Sequence, residues 1–295
     1  MHAGLCEIET FEDEDQTRPS FQAELEEVIR CRSPFHVNIE KVGGLLRTIR
    51  GLIEDPRTSF AELDKLIEHV EARIFFASAA EELAFNVKNR QENVRLINDA
   101  YCSWETALEQ IFVERLLQGD ANSLNDYRLN KRFQRLLKRE TSLLSGSHPK
   151  RALFIGSGPF PISAIWLHQM LGIPVNGLDV SLDAVQRSRE LIDKLELGNS
   201  IRIIHEPSQS YDVSGYDVIL VALLAKPKGA ILENICNSAK RDCSIICRTS
   251  FGLRSVIYEP TKVCNEMLER FTIEDARVIA GSGDDTISSL LLKIA

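Results

Sequence analysis

The sequence predicts an α/β fold: a Rossmann-like domain with a mostly parallel sheet, preceded by an all-helical N-terminal domain. Three observations predict it. Apolar residues recur at helical spacing from residue 21 to about 144, and no proline falls between Pro56 and Pro149. From Ala152 onward short apolar runs alternate with helical segments, the signature of βαβ units. The composition changes between them, at the turn Ser145-Gly-Ser-His-Pro-Lys150.

The N-terminal stretch 1–19 is acidic, with six acids in residues 7–15, and reads as a solvated, flexible tail. Residues 20–145 form the helical domain. Leu63, Leu66, Ile67, Val70 and Ile74 make one apolar stripe, and Ser59 with Glu62 makes a capping box ahead of it. The spacing predicts further helices over 83–97, 104–117 (with Ser103 as N-cap) and 124–144. In residues 150–295 the strands are predicted at 152–155, 175–180, 201–205, 218–222, 244–248 and 286–294. Helices are predicted between them at 162–171, 184–195 and 230–240.

The chain has 295 residues, 35 Lys and Arg against 43 Asp and Glu, and a net charge of −8. An acidic chain lacks the basic footprint of a sequence-independent nucleic-acid binder. No run approaches the length of about 18 apolar residues that spans a bilayer. The acidic start, without an apolar core, argues against a signal peptide, so a cytoplasmic protein is expected. The seven cysteines are odd in number and include no Cys-x-x-Cys, which fits reduced, mostly buried thiols. Cys243 and Cys247 share one face of a predicted strand, where core packing is the expectation. No histidine forms an HxxxH or HExxH motif, so no catalytic metal is expected.

The chemistry-bearing motif is Gly156-Ser157-Gly158-Pro159, at a strand-to-helix turn. Glycine permits positive φ and close approach of a ligand to the backbone. Pro161 stands where a dinucleotide fingerprint needs glycine, and no Gly-Lys-Ser/Thr follows, so pyrophosphate binding is disfavoured. A nucleoside ligand without phosphates fits better, with S-adenosylmethionine (SAM) the usual one. Asp179 ends the next strand, where an acid accepts both ribose hydroxyls; Glu206 ends the third, towards the adenine.

These residues, with ALFIGSGPFP at 152–161, VALLAKPKGAI at 221–231 and CRTSFGLRSVIYEP at 247–260, resemble the nicotianamine synthase family, which includes bacterial synthases of opine-type metallophores. The resemblance is strongest over 150–295, and in the helical half lies around Ser103-Trp104-Glu105-Thr106 and residues 132–140. It implies transfer of the 3-amino-3-carboxypropyl (aminobutyrate) arm of SAM to an amine, with release of methylthioadenosine. It also implies that Ala222 and Leu223 join the SAM site, that the helical half is a lid, and that metal is bound by the product. It further implies a small amino-acid acceptor, a homodimer and a downstream opine dehydrogenase-type enzyme.

Within that reading Arg254 and Arg248 are the substrate-carboxylate candidates, with a surface salt bridge and a loop anchor as their ordinary alternatives. Tyr258 orients or deprotonates the amine, or is a half-buried tyrosine with a satisfied hydroxyl. Glu82 and Glu92 are the acidic candidates for the base, and Tyr127 lies near the acceptor. The family's tyrosine-rich patch is broken here, where Asn130-Lys-Arg-Phe133 puts a phenyl ring at its last tyrosine. That departure favours one transfer to histidine over repeated transfer as in nicotianamine synthase proper. A small-molecule SAM methyltransferase and a non-catalytic SAM sensor are the competing classes.

Overall fold

The computed structural model describes residues 60–77, 91–261 and 269–295. Its helical part holds α1 (Phe60–Phe75), α2 (Gln91–Gln118) and α3 (Asn130–Ser142). The apolar stripe of α1 is buried at Leu66, Ile67, Val70 and Ile74. Each such side chain contributes about 1.5–3 kcal/mol when fully buried. Three polar contacts join these helices: the Tyr101 hydroxyl donates to Glu71 at 2.5 Å, the Trp104 indole to Asp64 at 2.9 Å, and Arg132 to Glu71 at 2.8 Å.

The C-terminal part is one seven-stranded sheet in the order β3-β2-β1-β4-β5-β7-β6. Its strands are β1 (Ala152–Ile155), β2 (Val175–Asp179), β3 (Ile201–His205), β4 (Val218–Val221), β5 (Ser244–Thr249), β6 (Phe271–Arg277) and β7 (Ser288–Ile294). The pairs among β1 to β5 are parallel; β7 runs antiparallel to both neighbours. Helices α4 (Ile162–Leu171), α5 (Leu182–Lys194) and α6 (Lys228–Ser238) connect the parallel strands. β1 and β4 are buried at every residue, as a sheet covered on both faces requires. Cys243 and Cys247 are fully buried in one apolar cluster beneath the sheet, as expected of them.

Three elements depart from the sequence reading. The two helices expected over 83–97 and 104–117 meet in one, since α2 runs unbroken through 98–103 and Ser103 lies inside it. Asn98 there donates to the carbonyls of Ser255 and Val256 at 3.2 and 2.8 Å, so its amide is used across the fold and not as a helix stop. The helix expected over 124–144 is broken, because Ser123 and Asp126 form a capping box around a short 3-10 turn before α3 starts at Asn130. β6 was not foreseen: it is an edge strand with a register shift between Ile273 and Asp275, which disrupts the alternation that betrays a strand. The capping Ser59, the acidic tail and the helices expected before residue 60 lie outside the described residues.

Candidate active site

In an open α/β sheet the ligand crevice forms where the chain reverses direction, at the carboxyl ends of the strands. Here that point lies between β1 and β4, and a cavity of about 370 Å³ occupies it. Its floor is the glycine turn. Gly156 and Gly158 have φ of 84° and 68°, and a Cβ on Gly156 would stand 3.0 Å from those of Ala222 and Ala225. Glycine is therefore required twice over, by conformation and by space. Ser157 Oγ is buried without a hydrogen-bond partner and packs towards β2, 2.6 Å from where a Cβ on Gly177 would stand.

Asp179 closes the turn from β2. One carboxylate oxygen accepts the Gly158 N–H at 2.8 Å and the other the Ser181 N–H at 2.9 Å. Pro159, Asp179, Glu206, Ala222 and Leu223 all line the cavity, so the residues expected to bind the nucleoside converge on one space. The carbonyls of Ala222 and Leu223 are held by the ammonium of Lys228, which burial brings down to about 8.

The other wall comes from α2 and the segment after β5. Tyr258 is 1% exposed, and its hydroxyl donates to Glu105 at 2.7 Å. Its ring packs edge-on against Tyr101, with centroids 4.9 Å apart. Burial raises the pKa of Glu105, while the bond from Tyr258 opposes the rise. Burial also raises Glu109 well above the usual carboxylate range, reinforced by Glu105 and Asp179; the Phe160 N–H acts the other way. Glu105, Glu109 and Tyr258 all face the cavity.

Arg248 reaches the cavity wall but is engaged: Nε and Nη2 each meet a carboxylate oxygen of Glu140 at 2.9 Å, and Nη1 donates to Ser163 at 3.0 Å. Glu140 also accepts from Ser289 at 2.7 Å. This buried pair ties α3 to β5, the anchoring alternative for Arg248.

Two expectations are corrected. Arg254 is 1% exposed but is not in the cavity wall; its guanidinium donates to the carbonyls of Gly283 and Asp285 at 3.0 and 3.3 Å, so it braces a loop instead of meeting a substrate carboxylate. Tyr127 is buried among Phe112, Phe133 and Phe160 and does not line the cavity. Glu92 lies in the first turn of α2, and its side chain is outside the described residues. Glu82 lies outside them entirely.

The acids in the cavity, Glu105 and Glu109, were missed as candidates. Their signal was local: like charges at i,i+4 disfavour an isolated helix by a few tenths of a kcal/mol. Glu105 also sits in one of the two helical segments that carry the family resemblance. Among the described residues no cluster of three His, Cys, Asp or Glu is placed to hold a metal, and no helix is long and apolar enough to cross a membrane.

The sequence model of one family, described as nicotianamine synthase protein, matches residues 33–292. An L-histidine 2-aminobutanoyltransferase of Yersinia pestis is 27% identical over 181 residues, which are 61% of this chain and 64% of the relative. Nicotianamine synthase 9 of Hordeum vulgare is 25% identical over 223 residues, 69% of this chain and 62% of the relative. The chain thus spans just under two thirds of the length of these curated relatives. Solved structures of MtNAS, one a variant in complex with S-adenosylmethionine and one in complex with MTA and tNA, superpose with a TM-score of 0.76. They are 23% and 24% identical and cover 88% of this chain and 99% of their own, which extends the shared fold to the helical part. With its family match running through both the helical segment and the sheet, this chain belongs to the nicotianamine synthase family.

Proposed function

We propose that the protein transfers the 3-amino-3-carboxypropyl group of SAM to the amine of an amino acid, with histidine as the preferred acceptor, and releases methylthioadenosine. The observation that carries the reading is the Glu105–Tyr258 pair in the wall of the cavity that the glycine turn floors.

An amino-acid amine is an ammonium at neutral pH and cannot attack until it loses a proton. Glu105, whose pKa burial raises, is a better acceptor for that proton than an exposed glutamate. The neutral nitrogen then bonds to the γ-carbon of the arm. The carbon–sulfur bond breaks, its electron pair stays on sulfur, and the cationic sulfonium becomes a neutral thioether. Asp179, Ser157 and the glycine turn hold the nucleoside, so that position selects the carbon attacked. Phe133 in the cavity wall offers no hydroxyl to a lengthened product, which fits one transfer. The names of relatives that act on histidine or make nicotianamine support the same reaction class. The helical segment, residues 20–145, acts as the cap of the SAM-binding domain at 150–295. A cytoplasmic homodimer that hands its product to an opine dehydrogenase-type enzyme completes the proposal.

The test incubates pure protein with labelled SAM and, separately, L-histidine, D-histidine or glutamate, and identifies products by mass. Methylthioadenosine and an aminobutyrate-extended histidine are expected. S-adenosylhomocysteine would make the protein a methyltransferase; binding without turnover would make it a sensor.

A further inference from the structure

We infer that Lys228 is a positioning residue of the donor site: its ammonium fixes the turn after β4 so that two backbone N–H groups, those of Leu223 and Leu224, receive the carboxylate of the donor's amino-acid arm. The inference rests on the proposed use of SAM.

A carboxylate drawn into a cavity needs hydrogen-bond donors. The arginines do not supply them. Arg248 is engaged by Glu140 and Ser163, and Arg254 is not in the cavity wall. Lys226, at the cavity edge, is paired with Glu259 at 2.8 Å. The strand order says where the arm lies. Asp179 ends β2 and Glu206 follows β3, both on one side of β1, while the turn after β4 is on the other. A nucleoside that extends from the glycine turn towards those two acids leaves its arm on the β4 side.

The segment Ala222–Ala225 is a β-turn, closed by the Ala225 N–H donating to the Ala222 carbonyl at 3.2 Å. Its two corner residues, Leu223 and Leu224, line the cavity. Among the described residues neither N–H donates a hydrogen bond. Leu223 is buried, and a buried N–H without a partner is rare. Lys228 accounts for the way both point. Its ammonium binds the carbonyls of Ala222 and Leu223, and across a trans peptide the N–H points opposite to the C=O. The Ala222 carbonyl shares its peptide with the Leu223 N–H, and the Leu223 carbonyl with the Leu224 N–H. Both donors are therefore turned away from Lys228, which is itself outside the cavity wall.

The lysine is kept there against opposition. It is the first residue of α6, at the positive end of the helix dipole, with no acid in the first turn. Burial opposes its charge most, and Arg248 and Lys226 add to this; Cys247 acts the other way. A methionine of similar length avoids all of these costs but leaves both carbonyls unbound.

The experiment measures by calorimetry the affinities of SAM and of its decarboxylated analogue, which keeps the sulfonium and the amine and lacks only the carboxylate. The proteins are the wild type, Lys228→Met and Lys228→Arg. The wild type should bind SAM ~10–100-fold more tightly than the analogue, the range of hydrogen bonds to a charged group. Lys228→Met should erase most of that preference by weakening SAM, with the analogue held within about twofold. Lys228→Arg, still a cation, should retain part of it. A wild type that binds both ligands equally overturns the inference, and this comparison decides even where a variant fails to fold. Equal weakening of both ligands in Lys228→Met, or unchanged SAM affinity, also overturns it. A wild type that binds neither ligand overturns the donor assignment itself.

Discussion

Tyr258→Phe isolates one hydroxyl at the proposed base. The phenyl ring can keep the edge-on contact with Tyr101, and only the 2.7 Å bond to Glu105 is lost. A hydrogen bond to a charged group is worth about 1.5–3 kcal/mol. At 1.36 kcal/mol per pKa unit, its loss raises the Glu105 pKa by about one to two units. The direction follows because Tyr258 stabilises the ionised carboxylate, against the burial that raises its pKa. Glu105 accepts a proton only when ionised, so activity switches on as pH rises through its pKa. The acidic limb of the kcat/KM profile should therefore move to higher pH by about one to two units. Activity lost at neutral pH should return in more alkaline buffer. Methylthioadenosine formation, followed across pH at saturating SAM with histidine varied, reads the limb directly. A limb that stays in place at wild-type rates would reduce Tyr258 to a satisfied core tyrosine and remove Glu105 as the base.

Further substitutions test the rest of the site. Gly156→Ala forces a side chain into positive φ, at a cost of about 1–2 kcal/mol, and against the methyls of Ala222 and Ala225; SAM affinity measured by dialysis should fall at least ~10-fold. Glu140→Ala strands the Arg248 guanidinium in the interior and should cost about 3–5 kcal/mol in urea unfolding, with most of it regained in Arg248→Met/Glu140→Leu. Glu109→Gln should raise the melting temperature of the ligand-free protein near neutral pH, because it removes the cost of burying a carboxylate there and its repulsion with Glu105 and Asp179. The sign agrees with linkage: an acid whose folded pKa is raised contributes stability below its unfolded pKa, and that is lost as pH rises through the folded value. A lower melting temperature for Glu109→Gln would mean that the carboxylate braces the turn.

The sheet was legible because burial on both faces writes a continuous apolar run, as in Ala152-Leu-Phe-Ile155 and Val218-Ile-Leu-Val221, and Gly156 and Gly158 mark where the first run must turn. β6 escaped because an edge strand keeps one polar side, and its sequence Phe-Thr-Ile-Glu-Asp-Ala-Arg loses phase at the register shift. The length of α2 escaped for a related reason. Asn98 and Ser103 look like helix stops until the carbonyls of Ser255 and Val256, far along the chain, take up the Asn98 amide. Local propensity was overruled by a distant partner, and no window of sequence contains both.

The site divides the same way. Gly156, Gly158 and Asp179 were readable because their roles are backbone roles: a positive φ, a close approach, a strand end. Arg254 and Tyr127 were misplaced because side-chain chemistry alone does not say which way a residue points; one braces the carbonyls of Gly283 and Asp285, the other joins an aromatic cluster. Glu105 and Glu109 were hidden among the charged residues of a helix whose polar face looks ordinary. Yet paired acids one turn apart oppose both helix formation and burial. A chain keeps such a conflict where folding is not the quantity being optimised, and the cavity floored by the glycine turn, which both acids line, is such a place.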